Sequence, residues 1–314
     1  MQPQNISLTL PIHQALHRVK VMLFQPFDAE RWFVIGFCAW LAFLGQGGFG
    51  GGGRYNFGNG HGGGSLRDTF EQARDFVMHN LAWLLPVAAA VLLVIMVLSL
   101  LIAWLSSRGQ FMFLHCIALN KAEVSLPWQR YGREANSLFL FRLVLGFIGF
   151  ACVLPLVAGI VAIVLTMIAH GRASLVGVVG ALFVTFLTLA VAVGFGVTGK
   201  FTRDFVVPIQ FARGGTAVEG WRVLYALLTQ NVGHFILYLL FQIVLSMAIF
   251  ACVAAVVLAT CCIAGCLLAI PYLGTVFLLP VLIFKRAYSL FYLAQYGPGF
   301  DVFPAQQMPG TALP

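Results

Sequence analysis

Between Phe235 and Phe284 the chain runs for 50 residues without an Asp, Glu, Lys, Arg or His. As one straight helix that run would be about 75 Å long at 1.5 Å per residue. A bilayer core is about 30 Å thick, and about 20 apolar residues cross it. The run therefore has to fold back. Its weakest helical stretch is Ala259-Thr260-Cys261-Cys262-Ile263-Ala264-Gly265, where the turn is expected. Pro271 and Pro280 then fall in the returning helix, where they predict kinks. Four further apolar runs precede this one: Trp32 to Phe49, Leu81 to Leu105, Leu138 to Ala169 and Leu175 to Thr198. The first is the weakest, being interrupted by Gly45, Gln46, Gly47 and Gly48. The expected fold is an all-α integral membrane protein with six transmembrane helices arranged as three hairpins.

Composition supports the class. Hydrophobic residues make up 61% of the 314 and charged residues 9%, against about half and a quarter in soluble domains. Mean hydropathy is +0.94. A disordered chain, a nucleic-acid module and an ordinary soluble enzyme are excluded, because a soluble fold has no means of hiding this much apolar surface. The net charge of +8 sits in short segments between apolar runs, which fits anionic lipid headgroups better than nucleic acid. The expected partners are thus the lipid bilayer and, at the cytoplasmic face, another protein. No cleavable signal peptide is expected, since the first long apolar run begins at Trp32 and no small-residue cleavage pattern follows it.

With six spans both termini share one side. That side carries Arg18, Lys20, Arg31, Arg108, Lys121, Arg130, Arg133, Arg142, Lys200, Arg203, Arg213, Arg222, Lys285 and Arg286, which is 14 basic residues. The other carries Arg54, Arg67, Arg74 and Arg172, which is four. The asymmetry predicts cytoplasmic termini in a plasma (inner) membrane.

The segments on the basic side resemble one another. Each even-numbered span continues into a tail: Arg108 to Lys121, Lys200 to Arg213, and Lys285 to Pro298. Each odd-numbered span is preceded by an amphipathic stretch, expected at 11–24, 127–140 and 216–230. Ile12, Ala15, Leu16, Val19, Met22 and Leu23 mark the apolar face of the first, with Arg18 expected on the solvent side. Trp128, Tyr131, Ala135 and Leu138 mark the second, and Ala217, Trp221, Leu224 and Leu228 the third. Thr216-x-x-Glu219 reads as a capping box, and Thr9 and Ser125 as caps ahead of Pro11 and Pro127. Such helices suit the membrane interface, with Trp128, Trp221, Arg18 and Arg222 as anchors. The expected divisions are 1–31 (N-terminus with interfacial helix), 32–121 (first hairpin, with a Gly-rich extracytoplasmic loop at 45–64), 122–213 and 214–299 (an interfacial helix and a hairpin each), and 300–314 (a flexible tail).

Chemistry is sparse. The stretch Gly45–Gly64 lacks the G-K-[ST] ending of a phosphate loop and reads as a linker. Asp204 is the most informative acid. A proton or cation relay would use such a carboxylate at a span end. The plainer reading is a structural ion pair with Lys200, one turn back, or with Arg142. Arg142 is expected to snorkel to the interface. His234 marks the start of the fifth span, with a His-based relay as its alternative. His115-Cys116 is the only His–Cys neighbour pair, and neighbours on a helix point apart, against a nucleophile–base pair. Cys261, Cys262 and Cys266 are expected to let helices approach, with a bridge to Cys252 as the alternative. No metal-ligand cluster, cofactor motif or catalytic signature is present, so no enzyme activity and no cofactor is expected.

The segment Phe201 to Pro208 (F-x-x-D-F-V-V-P), the amphipathic helix around Gly220-Trp221, the long apolar hairpin and the ending Gly297-Pro298-Gly299-Phe300-Asp301 carry a likeness. Over residues 100–301 the chain resembles the multi-pass membrane domain fused to some glycerophosphodiester phosphodiesterases and related prokaryotic membrane families. No phosphodiesterase domain accompanies it here, so the resemblance implies a membrane domain without that catalysis. The expected function is a non-catalytic membrane scaffold or accessory subunit, with a transporter or channel for lipid or small solute as the alternative.

Overall fold

The computed structural model describes residues 6–45, 79–169, 175–260 and 263–303. The Gly-rich stretch beyond Gly45, Cys261, Cys262 and the end of the chain from residue 304 lie outside the described residues. Every regular element among the described residues is helical. This follows from the sequence: inside hydrocarbon a helix satisfies its own backbone donors and acceptors, whereas loops and open strands do not.

Among the described residues, four helices are long and apolar enough to cross a membrane. They are α3 (Leu81–Leu119), α5 (Gly132–Ala169), α6 (Leu175–Phe201) and α9 (Val232–Ala259). Helix α6 passes without a break into a five-residue π-turn, Thr202–Val206, and then α7 (Val207–Arg213). The shorter elements are α1 (Leu10–Phe24), α2 (Ala29–Phe43), α4 (Ser125–Arg130), α8 (Ala217–Gln230), α10 (Ile263–Ala269), α11 (Pro271–Phe277), α12 (Leu279–Ala294) and a 3-10 turn, Pro298–Phe300. Helices α11 and α12 are bent by 65° at Leu278 and together pass the same length and apolarity test as a single broken span.

Burial divides the molecule into two regions. Along α3, residues such as Leu92, Ile95 and Leu98 are exposed, whereas every residue from Gly109 to Ala118 is buried. Helices α5, α6 and α9 repeat the pattern, with exposed Phe147, Phe186 and Phe250 far from the buried Leu138, Phe205 and Tyr238. The four long helices are therefore apolar legs standing on a packed base. The base holds the hydrophobic core, to which α1, α2, α12 and the three tails contribute. At about 58 Å, α3 is far longer than a bilayer core, so its buried end projects beyond the hydrocarbon.

Polar residues terminate the helices where local chemistry allows. Asp28 caps α2 by accepting from the Glu30 amide. Thr216 and Glu219 form the expected capping box on α8. Asn120 ends α3 in the left-handed conformation at φ 56°, a role its short polar side chain tolerates.

Several expectations are corrected. Helix α2 has 15 residues and reaches about 22 Å, too short to cross. It lies beside the base end of α3, its backbone at Leu41 and Ala42 against Gly109, rather than along the α3 leg. The second amphipathic stretch is not a separate helix: α4 stops at Arg130, and α5 starts at Gly132 and continues straight into the leg. Asn136 and Ser137 lie between Glu134 and the apolar run, but the helix continues through them, whereas Asn231 separates α8 from α9. Thr9 makes no side-chain cap, and Ser125 is the first residue inside α4. Pro271 and Pro280 do more than kink one helix; each opens a new one, since proline lacks the donor the preceding turn needs. Leu16 is exposed at 53% while Arg18 is buried at 6%, so the α1 face is rotated from the one expected. Finally, Phe300, Val302 and Phe303 are buried in the base, with Phe303 stacked on Phe291 at 4.2 Å. The tail is thus anchored at its start.

Candidate functional site

The most polar place in the base surrounds Asp204. Pro208 explains how the carboxylate is aimed. Its ring clashes with the carbonyl four residues back and it has no N–H to donate there. The turn widens, and Val207 donates to Thr202 five residues back, which makes the π-turn. Such single π-turns recur at functional positions. Asp204 Oδ2 lies 2.8 Å from Lys200 Nζ and accepts from the Tyr238 hydroxyl at 3.1 Å. Gln242 donates to the same hydroxyl at 3.1 Å. Tyr238 and Gln242 sit one turn apart on α9, so a single helical face delivers both.

Two cations from α12 join them. Arg286 donates to the Arg203 carbonyl, and Lys285 donates to Ser246 on α9 at 3.2 Å. Arg203 and Arg286 both act on Asp204 electrostatically. An apolar groove of about 820 Å³ opens between α6 and α9, with Lys200, Gln242 and Ser246 at its polar end. Around the cluster, Phe205, Phe235, Tyr238, Tyr288 and Tyr292 form a continuous aromatic packing. The arrangement binds and holds charge. It has no nucleophile–base pair, and among the described residues no group of three or more metal-ligating side chains gathers.

The expected site residues divide accordingly. Asp204, Lys200 and Arg203 come together as the spacing suggested. Arg142 is not the partner of Asp204; it reaches the hydroxyls of Ser107 at 3.4 Å and Ser106 at 3.5 Å on α3. His234 lies on the first turn of α9, and its carbonyl accepts from Tyr292 at 3.0 Å; its imidazole is outside the Asp204 cluster.

The anchors also separate. Trp221 donates to Thr202 at 3.1 Å, tying α8 to the π-turn. Trp128 and Trp104, set edge to face, each place a ring 4.8 Å from the Arg108 guanidinium in cation–π contact. Arg222 is exposed. Arg18 is no surface anchor: it donates to the Ile117 carbonyl at 2.9 Å and the Ala118 carbonyl at 2.8 Å. It thereby satisfies the open carbonyls at the end of α3. Burial lowers its pKa to about 10, which leaves it charged at neutral pH.

The chain belongs to a family of unknown function, DUF7544. The family's model matches residues 9–293, so the legs, the Asp204 cluster and all of the base before Ala294 fall within the DUF7544 match. No curated protein and no solved structure matches the chain.

Sequence reasoning missed Tyr238, Gln242, Lys285 and Arg286 as members of the site. A signal existed for the first pair: Gln242 is a strongly polar residue inside the charge-free run, one turn after a tyrosine. It also missed the contact of Cys38 with Cys116, whose sulfurs lie 3.9 Å apart where α2 crosses α3. His115 and Cys116 do point apart. Cys116 faces Cys38, and His115 faces Tyr131 and, at 3.7 Å, the Glu123 carboxylate.

Proposed function

We propose that this DUF7544 protein is a non-catalytic membrane scaffold or accessory subunit, built as three repeated units on a cytoplasmic collar. The observation that carries the reading is the order in which the pieces of the base pack. Helix α1 packs on α12, α4 packs on the tail of α3, and α8 packs on the π-turn and α7. Each amphipathic helix thus covers the tail of the preceding unit, and the first covers the last, closing a ring. The tails also touch one another: α12 contacts both the π-turn and α3, and α3 contacts α7. A sequential chain with unrelated segments has no reason to close in this way. In this reading the bent pair α11–α12 adds a membrane segment to the four legs. The departure of α9 from the base and the return of α12 to it, where Tyr292 meets His234, support the last hairpin.

The ring leaves the legs with little to do but meet lipid or other helices. Leu92, Phe147, Phe186 and Ile243 face outward on four different legs, and apolar patches of that extent mark interaction surfaces. The likeness to phosphodiesterase-associated membrane domains fits the same role. In this reading the collar and both termini are cytoplasmic in a plasma (inner) membrane, which the basic residues of the base support.

The lateral grooves beside α6 favour a second reading, a transporter of lipid. The two are separated by reconstituting the protein in liposomes and following fluorescent lipid flip-flop, with photo-crosslinkers at Leu92 and Phe186 in native membranes. The scaffold reading expects no acceleration of flip-flop and one recurrent crosslinked protein. Protein-dependent flip-flop without crosslinking would select the transporter. A reporter active only outside the cytoplasm, fused at Pro314, should be silent.

A further inference from the structure

A second groove, of about 510 Å³, runs between α5 and α6 on the side away from Tyr238. That volume is within the range of about 300–1,000 Å³ typical of small-molecule sites. Its walls are apolar, with Leu145, Val153 and Phe195 among them, and its base end is formed by Arg142, Thr202 and Arg203. Arg142 and Arg203 are close enough to repel each other. Among the described residues no carboxylate lines the groove.

Glycines keep the groove open. Gly146, Gly196 and Gly199 line it, and a methyl group added to any of them would meet nothing within 4 Å. Small residues in membrane helices ordinarily let two backbones approach closely. Here they face unfilled space instead, so close helix packing does not account for them.

The charges around the groove do not balance. Asp204 is the only acidic residue from Leu138 to Arg213, and Val232 to Ala294 contains none. Lys200, Arg203, Lys285 and Arg286 act on that single carboxylate, and Arg142 lies near Arg203. These six groups carry a net charge of +4. The level is right for a lipid headgroup: Thr202, beside Arg203, is bonded by Trp221, and tryptophan favours the headgroup zone. Two guanidiniums at the mouth of an apolar slot match a phosphate joined to acyl chains, and basic pockets between membrane helices bind anionic headgroups.

We propose that the α5–α6 groove binds one anionic glycerophospholipid, its phosphate between Arg142 and Arg203 and an acyl chain along the glycine-lined wall. The inference does not rest on the scaffold reading, since a scaffold and a transporter would each keep such a lipid.

The test uses the full chain in phosphatidylcholine nanodiscs with spin-labelled phosphatidylglycerol as probe and spin-labelled phosphatidylcholine as reference. The motionally restricted fraction reports association. Wild type should prefer phosphatidylglycerol. Arg142→Gln with Arg203→Gln should lower that preference about tenfold, the loss expected for one charge-assisted hydrogen bond. Gly146→Leu fills the groove while keeping both arginines and should lower association of the same probe, which keeps the test decisive if the double variant fails to fold. Arg133→Gln and Arg222→Gln, on exposed residues, should leave the preference unchanged. Inorganic phosphate at millimolar concentration should not displace the probe. The proposal is overturned if the groove variants retain wild-type preference, if the exposed-residue variants reduce it equally, or if phosphate alone competes.

Discussion

Replacing Asp204 with Asn tests the base most directly. The amide keeps the shape and an oxygen for the Tyr238 hydroxyl, now at 3.1 Å, and removes only the charge. Lys200, Arg203, Arg286 and Lys285 then share no carboxylate. Removing one partner of a buried ion pair costs about 3–5 kcal/mol, chiefly because the opposite charge is left uncompensated. The Asp204 side chain is 15% exposed and that of Lys200 32%, so the lower end, about 3 kcal/mol, is expected. Most of it comes from Arg286, which is buried at 7% exposure and has no route to water. The reciprocal change, Lys200→Gln, removes the more exposed partner and should cost no more than about 1 kcal/mol. Replacing both residues together should recover only part of the loss, because Arg286 keeps its charge. Equilibrium unfolding in mixed detergent–SDS micelles, followed by circular dichroism, measures all three. If Asp204→Asn unfolds within about 0.5 kcal/mol of wild type, a scatter usual for surface substitutions, the cluster does not stabilise the base. If Lys200→Gln costs as much as Asp204→Asn, the exposed pair and not the buried arginine sets the energy. Either result refutes the reasoning.

Arg18→Met should destabilise the protein by about 2–3 kcal/mol, because the Ile117 and Ala118 carbonyls lose a charged donor; the same unfolding assay measures it. A Cβ on Gly109 would clash with the Leu41 backbone, so Gly109→Ala should cost about 1–3 kcal/mol by overpacking, while Gly146→Ala should be neutral. Partial burial raises the Asp301 pKa above its ordinary 3.8. The folded state therefore holds that proton to higher pH than the unfolded chain does, and stability falls as pH rises through the window just above 3.8. Asp301→Asn should remove that fall, gaining at most about 0.5 kcal/mol at neutral pH given its solvent access, with no gain below pH 3.8; melting curves across pH would expose the opposite sign.

What a local pattern encodes was legible. Apolar runs set the legs, since hydrocarbon leaves the backbone no choice but helix. Thr216 and Glu219 are three residues apart, and Lys200 and Asp204 four, so helix geometry alone brings each pair together. The crowding of basic residues near the base could be read as well. Tertiary structure decided the rest. Arg18 has the composition of a solvent-facing residue, yet it is buried because the open end of α3, about 100 positions later in sequence, offers carbonyls that need a donor. Tyr238 reaches Asp204 across 34 residues and Arg286 reaches Arg203 across 83, separations that no periodicity records. The π-turn aims Asp204 through a steric effect of Pro208 that acts only once the helix has formed. Helix α2 carries the hydropathy of a crossing segment but lies against the base of α3, because Gly109 admits its backbone there. Hydropathy determines which segments leave water; which of them reach the bilayer and which fill the core is settled by the surfaces they find.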